Sequence, residues 1–198
     1  MDAATQFALA YALTATAGLR GFLTLFAAAL AAHYHLVRPS ADFEWLGSDG
    51  ALIVLGIFAL LELAADKIPA VDHALHAISF AVRPAAAAIL VGGTVNMSNS
   101  TELVGLMAAG ALNALLVHTS SAAVRAASTA TTLGAANPVL SAVEDVVTIA
   151  GIIVAFAFPI GAALLALVLV FSLIFAWRRI GGRFRGPTAT HAIGPPYP

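Results

Sequence analysis

Long apolar stretches separated by short polar breaks are the feature that most limits what this chain can fold into. The first stretch runs from about residue 6 to 32, and a later one runs from 102 to about 123. A helix needs about 20 predominantly apolar residues to cross a bilayer. Charged residues make up only 10% of the chain, whereas a soluble domain carries about 25%, so the chain cannot cover a water-soluble surface. We therefore predict an integral membrane protein.

The apolar stretches predict an all-α fold, a polytopic bundle of about six transmembrane helices that includes broken or re-entrant helices. One transmembrane domain is expected over residues 1–179. The tail, 180–198, is basic and then rich in glycine and proline, which predicts disorder. The predicted spans are residues 6–32, 51–65, 72–95, 102–123, 137–158 and 159–179.

Two of these spans contain breaks. The first is interrupted at Gly18-Leu19-Arg20-Gly21, where the glycines either permit close helix packing or unwind a turn that offers backbone groups to a solute. Close packing is the favoured interpretation. The third contains Arg83-Pro84, so 72–95 is either one kinked span or a surface helix followed by a re-entrant half-helix. The kinked span is favoured.

Basic residues predict the orientation. With six spans threaded, Lys67, Arg125 and the arginines at 178–185 fall on one side, and Arg38 falls opposite. Basic loops stay in the cytoplasm, so both termini are expected there. Three spans then lie in each of the segments 1–95 and 102–179 in opposite orientations, which is the arrangement of an inverted repeat. In such a repeat Arg20 corresponds to Arg125, and Glu62 to Glu144.

Several function classes are disfavoured by what the sequence lacks. It has no cysteine, which excludes disulfides, thiolate metal sites and thiol catalysis. Its formal net charge of -1 argues against nucleic acid as a partner. No nucleophile elbow, phosphate loop or zinc-protease motif is present, so we expect no cofactor, and an enzyme is the less favoured class.

Ionisable residues cluster instead of scattering through the predicted spans. A charge at the bilayer centre costs roughly 2.5–3.5 kcal/mol, so a cluster suggests a polar chamber open toward the cytoplasm. Alternatively the charges form structural pairs, Arg20 with Glu62 or Glu144 and Arg125 with Asp145. The candidate solute or ion pathway consists of Arg20, Glu62, Asp66, Asp72, Arg83, Arg125, Glu144 and Asp145.

Two histidines, His73 and His76, are weak candidates for a metal site. They lie three residues apart and so share a helix face, where Glu62 or Asp66 could complete a nitrogen and oxygen ligand set. No third ligand is fixed by the spacing. Interfacial histidines that contact water or headgroups are the favoured interpretation, so we expect no metal.

Four motifs of the sequence are distinctive as a set. They are Ala17-Gly18-Leu19-Arg20, the run from Glu62 through Asp66-Lys67-Ile68-Pro69 to Asp72, Arg83-Pro84, and the segment from Asn137-Pro138 to Glu144-Asp145. Through these motifs the chain resembles the bacterial domain-of-unknown-function 4126 membrane family over roughly residues 12–158. A lysine expected in that family shortly before Arg125 is absent here, where Ala122 and Ala123 stand instead. The resemblance implies a compact multi-span protein of the bacterial inner membrane and supplies no substrate.

The clustered charges and broken helices favour a small transporter or channel-like permease for a small solute or ion. The carboxylates would respond to protons or cations, and Arg20 and Arg125 would bind an anionic group or act as counter-ions. One alternative is a protein that flips or modifies lipid headgroups. Another is a structural or assembly subunit, since small residues at Ala27, Ala28, Ala31 and Ala32 suit helix association. The expected partners are the bilayer and a small solute or ion, together with a second copy or another membrane protein.

Overall fold

The fold is all-helical in the part of the chain that the structure describes. In this computed structural model the backbone is described for residues 1–65 and 69–184, and the side chains for residues 1–65 and 78–175. Seven α-helices and one 3-10 helix, Ala41–Gly47, occupy these ranges. The helices are α1 (Ala3–Ala17), α2 (Gly21–His33), α3 (Asp49–Ala65), α4 (Pro69–Thr94), α5 (Ser100–Thr132), α6 (Asn137–Ala157) and α7 (Pro159–Phe184).

Apolar helices dominate these elements. Within the described residues α5 and α6 are each long and apolar enough to cross a membrane. The 3-10 helix and α3 pass the same test as a pair bent by 67°. Shorter apolar helices cover Gly21–His33, Ile78–Thr94 and Pro159–Phe175. The predicted all-α fold is confirmed, while the number of six spans stays a prediction.

The first predicted span is two helices separated by an unwound turn. α1 ends at Ala17 and α2 begins at Gly21, and Arg20 between them has an extended backbone with φ of −140° and ψ of 97°. Gly18 also permits a close approach, since a Cβ there would lie 2.6 Å from Val117 Cβ and 2.7 Å from the Ala114 carbonyl oxygen. The packing and the unwound turn, weighed as alternatives from the sequence, occur together.

Residues 72–95 do not divide at Pro84. α4 runs without interruption from Pro69 to Thr94 with Pro84 inside it, which agrees with one continuous segment. α5 is longer than the predicted fourth stretch and continues to Thr132. Its last turns are rich in alanine, the best helix former, and the hydroxyls of Thr129 and Thr132 bond carbonyls four residues back.

The chain beyond the sixth stretch is partly helical. The sequence places the end of the transmembrane domain at Arg179, but α7 continues to Phe184. The rest of the predicted disordered tail, 185–198, lies outside the described residues.

The core lies where α1, α2 and α4 meet. Leu9, Leu13 and Leu90 are completely buried there, and Leu25 is nearly so. Around this centre α4 packs along α5, and α7 packs along α1. By contrast α6 presents a broad apolar face outward, with Val146 67% and Ile153 62% exposed. This face is suited to lipid acyl chains.

Replacement of Gly18 by alanine tests the contact between the end of α1 and α5. The new methyl group meets a backbone oxygen, which cannot rotate away, so we expect a loss of about 1–3 kcal/mol in the free energy of unfolding. Thermal unfolding of the detergent-purified protein measures it. Gly105→Ala on α5 is the control, because no atom lies within 4 Å of its added Cβ. Equal melting temperatures for the two variants would contradict the close packing.

Candidate functional site

The carboxylate of Glu62 binds the N-terminus of α2. Its Oε1 accepts a hydrogen bond from the Gly21 N–H at 2.9 Å, and its Oε2 accepts from the Phe22 and Leu23 N–H groups, both at 3.1 Å. The first N–H groups of a helix have no partner within the helix and carry its positive dipole end. A negative charge from α3 therefore stabilises the start of α2, although no acidic residue lies in that helix's own first turn.

Arg83 binds the other side of the same break. Its Nη1 donates to the Gly18 carbonyl oxygen at 2.9 Å and lies 2.6 Å from Nδ1 of His118. Arginine can only donate, so this His118 nitrogen accepts, and the ring proton belongs on Nε2. A cation thus lies at the carbonyl end of α1, where the helix dipole is negative. His118 is fully buried and packs edge-on against Phe80.

Arg20 connects the break to α6. Its side chain is 0% exposed, and its Nε lies 2.7 Å from Asp145 Oδ1. Its Nη2 donates to the Ser141 hydroxyl at 2.9 Å and lies 4.0 Å from Glu144 Oε2. The extended backbone at Arg20 leaves the helical path and carries this side chain to α6. Three polar side chains on one face of α6 therefore contact a single guanidinium.

Arg125 of α5 holds the second carboxylate of α6. Its Nη2 donates to Glu144 Oε2 at 2.5 Å, and its Nε donates to Oε1 at 3.4 Å. The Ser121 hydroxyl also donates to Oε1 of Glu144. Two donors from one guanidinium to one carboxylate fix both position and orientation. Glu144 therefore lies between Arg125 and Arg20.

The structure brings together six of the eight predicted pathway residues in two neighbouring groups. Glu62 and Arg83 lie at the break, Arg20 joins it to α6, and Arg125, Glu144 and Asp145 complete the network. The predicted pairing of Arg20 with Glu144 is present at 4.0 Å, while Asp145 is the carboxylate nearest to Arg20. Asp66 and the side chains of Asp72, His73 and His76 lie outside the described residues. Elsewhere in the described chain no group of three potential metal ligands occurs.

Sequence reasoning missed three polar partners in this site. Ser141 precedes Glu144 by three residues and Ser121 precedes Arg125 by four, and residues at these spacings share a helix face. This helical spacing is the signal by which the sequence could have identified both serines. His118 gave no such signal, because no spacing relates it to Arg83, which lies on a different helix.

The charges of this site join the two halves of the sequence. Arg20 comes from the first half and its carboxylate partners from the second, and Arg83 of α4 contacts His118 of α5. Such a network can hold the halves in one arrangement. It can also exchange partners, because Glu144 lies within 4.0 Å of two guanidinium groups.

Neutralising single members of the Arg125–Glu144 pair tests its energetic role. Arg125→Gln or Glu144→Gln leaves a charge without its main partner, and we expect each to cost about 3 kcal/mol of unfolding free energy. The double variant removes both charges and is expected to cost less than the two single variants together. Thermal unfolding in detergent measures this cycle.

Arg38→Gln and Glu102→Gln supply the control for that cycle, since both side chains are exposed. We expect each to change the unfolding free energy by less than about 0.5 kcal/mol. If the effects at Arg125 and Glu144 add without coupling, the pair is not the unit that holds α6.

Comparison with known proteins places this geometry in a family. A family model described as a domain of unknown function, DUF4126, matches residues 7–179. No curated protein and no solved structure matches the chain. The matched region includes the break between α1 and α2 and every charged residue of the network described above. The chain belongs to the DUF4126 family, a family of unknown function.

Proposed function

We propose that this protein is a small permease that moves a small anion across the membrane, with the break between α1 and α2 as its binding site. The observation that carries the proposal is the carboxylate of Glu62 on three backbone N–H groups of α2. A half-helix N-terminus inside a membrane is the kind of site that holds an anionic substrate group in transporters. Here the chain's own carboxylate occupies it.

Proton uptake by Glu62 is the step that opens this site. The protonated carboxyl loses its negative charge and is a weaker acceptor for the N–H groups of Gly21, Phe22 and Leu23. A small anion then takes these donors, and the proton stays on Glu62. Release of the anion and loss of the proton restore the present arrangement, so one proton accompanies each anion.

The two buried arginines near the break support an anion over a cation. Arg20 is adjacent to Gly21 in the chain, and the α carbon of Arg83 would lie 3.5 Å from a Cβ at Gly21. Both guanidinium groups are nearly or fully buried, so their charges are screened less than at a water-exposed surface. The field at the break therefore favours negative charge.

The packing of the helices also supports a transporter. α4 closes the first half and packs along α5, which opens the second; α7 closes the second half and packs along α1. Inverted repeats related by a two-fold axis produce such reciprocal contacts, and their relative movement gives alternating access. We place the protein in the bacterial inner membrane with both termini in the cytoplasm, as the positive-inside rule predicts.

Flux measurements in liposomes test the proposal directly. The purified protein is reconstituted, and uptake of chloride, nitrate and inorganic phosphate is followed with and without an inward proton gradient. We expect the gradient to accelerate uptake of at least one anion several-fold. Glu62→Gln removes the titrating group and should abolish this acceleration, whereas Glu102→Gln, the same change at an exposed position, should retain it.

Two outcomes of that assay would reject the permease. One is uptake no faster than in protein-free liposomes for all three anions. The other is a Glu62→Gln protein that responds to the proton gradient as the unmodified protein does.

The ion pairs of the network are compatible with a transport pathway and also with a purely structural role. Access of water to the network distinguishes the two. The chain has no cysteine, so Ser141→Cys and Ser121→Cys each add one thiol with little change in shape. A transport pathway predicts that a membrane-impermeant thiol reagent labels at least one of them from the cytoplasmic face of membrane vesicles. The labelling of these two thiols is compared with that of Ser172→Cys, which lies on the exposed surface of α7. Protection of both inner thiols from both faces would favour a structural subunit.

A further inference from the structure

A crevice runs along α6 and α7 and meets the break between α1 and α2 at Leu19. It comprises two neighbouring cavities of about 280 and about 270 Å³. Leu19, Val147 and Leu169 line both cavities. The two cavities are therefore adjoining parts of one crevice and meet at these three residues.

The walls follow one face of each helix. Along α6 the lining residues progress from Leu140 through Val147 to Val154, and along α7 from Ala162 through Leu169 to Leu173. At 1.5 Å of rise per residue, the α6 wall is about 21 Å long. An acyl chain in one leaflet spans roughly 15 Å, half of the hydrocarbon thickness. The crevice is thus long enough for one acyl chain.

The two ends of the crevice differ in the residues behind their walls, although the accessible surface of both is mostly apolar. Arg125, Glu144, Ser120 and Ser121 are among the residues at one end. Small apolar side chains line most of the other end and create the recess. These are Ala12, Ala15, Ala150, Gly151, Ala162 and Ala166.

The crevice opens on the side of the protein that faces lipid. Leu165 and Leu169 on its wall are 68% and 45% exposed, and Val154 is 39% exposed. The surrounding surface of α6 is apolar, so the medium at the opening is the hydrocarbon of the bilayer. A ligand that enters here arrives from the membrane.

We propose that this crevice binds one phospholipid molecule, with an acyl chain along α6 and α7 and the phosphate at Arg125. An arginine matches the oxygens of a phosphate with paired N–H donors, as it matches a carboxylate. The phosphate takes the place of the Glu144 carboxylate on Arg125. Glu144 then turns to Arg20, whose Nη2 is already 4.0 Å from its Oε2. Lipid binding would thereby change which arginine holds α6.

Native mass spectrometry of the full-length protein in detergent tests the site. The delipidated protein is titrated with palmitoyl-oleoyl phosphatidylglycerol or with palmitoyl-oleoyl glycerol, which lacks the phosphate. We expect one phospholipid to bind about tenfold more tightly than the diacylglycerol, a difference of about 1.4 kcal/mol. Equal affinity for the two lipids would overturn the assignment of Arg125 as the phosphate site.

Matched tryptophan substitutions locate the acyl chain. Ala150→Trp fills the crevice, whereas Ala142→Trp places the same side chain on an exposed position of the same helix outside it. We expect the first to reduce phospholipid affinity about tenfold and the second to leave it unchanged. Equal affinities for the two variants would exclude the crevice as the binding site.

A second pair on α7 keeps the test decisive if Ala150→Trp does not fold, which size-exclusion chromatography would reveal. Leu165 lines the crevice and its neighbour Leu164 does not, although both are well exposed. Leu165→Trp should weaken phospholipid binding, and Leu164→Trp should not. If both retain the lipid equally, the proposed site is wrong.

Discussion

The backbone N–H and C=O groups at the break in the first apolar stretch need hydrogen-bond partners. Charged side chains from neighbouring helices provide them. In hydrocarbon each unpaired backbone N–H or C=O costs several kcal/mol, and an unwound turn exposes such groups at both of its ends. α3 contributes Glu62 to the N–H end, and α4 contributes Arg83 to the carbonyl end. Two neighbouring helices are thereby fixed against the same few residues. The dipoles of α1 and α2 each meet a charge of opposite sign, so the break is stabilised by electrostatics as well as by hydrogen bonds.

The same break determines how the second half of the chain is attached. Arg20 has an extended backbone and directs its guanidinium to Asp145 and Ser141 on α6, while Glu144 on that helix pairs with Arg125 of α5. α6 has a largely exposed apolar surface, and its polar contacts add to the packing of Ile152 and Ala155 in the core. Apolar packing between α6 and α7 is incomplete, which leaves the crevice beside them. The ion pairs of α6 can therefore change partners while Ile152 and Ala155 stay packed in the core.

The sequence predicted the helices well and their contacts poorly, for a physical reason. Hydropathy marks which segments leave water, and glycine and proline mark where they break, so the all-α fold and the breaks at Gly18–Gly21 and before Pro159 were readable. α5 exceeded its predicted length because serine and threonine near Arg125 lower the mean hydropathy, while the alanines between them favour a helix. The partner of Glu62 was not readable, since it is the backbone of α2, forty residues away, and a backbone carries no side-chain signal. The serines at 121 and 141 could have been predicted, because each shares a helix face with a charged residue already identified.

The long separation between Arg20 and its carboxylates has a consequence for biosynthesis. Ser141, on the helix turn that bears these carboxylates, follows Arg20 by 121 residues, so Arg20 is synthesised and inserted well before them. During that interval the first hydrophobic segment carries a charge that costs roughly 2.5–3.5 kcal/mol at the centre of a helix entering the membrane. Glu62 and the remainder of α3 arrive first and can stabilise the start of α2, but Asp145 is synthesised only after α3, α4 and α5. The carboxylate partners of Arg20 therefore arrive late, with α6, and a chain truncated before that helix would keep Arg20 in the membrane without the partners it has in the folded protein.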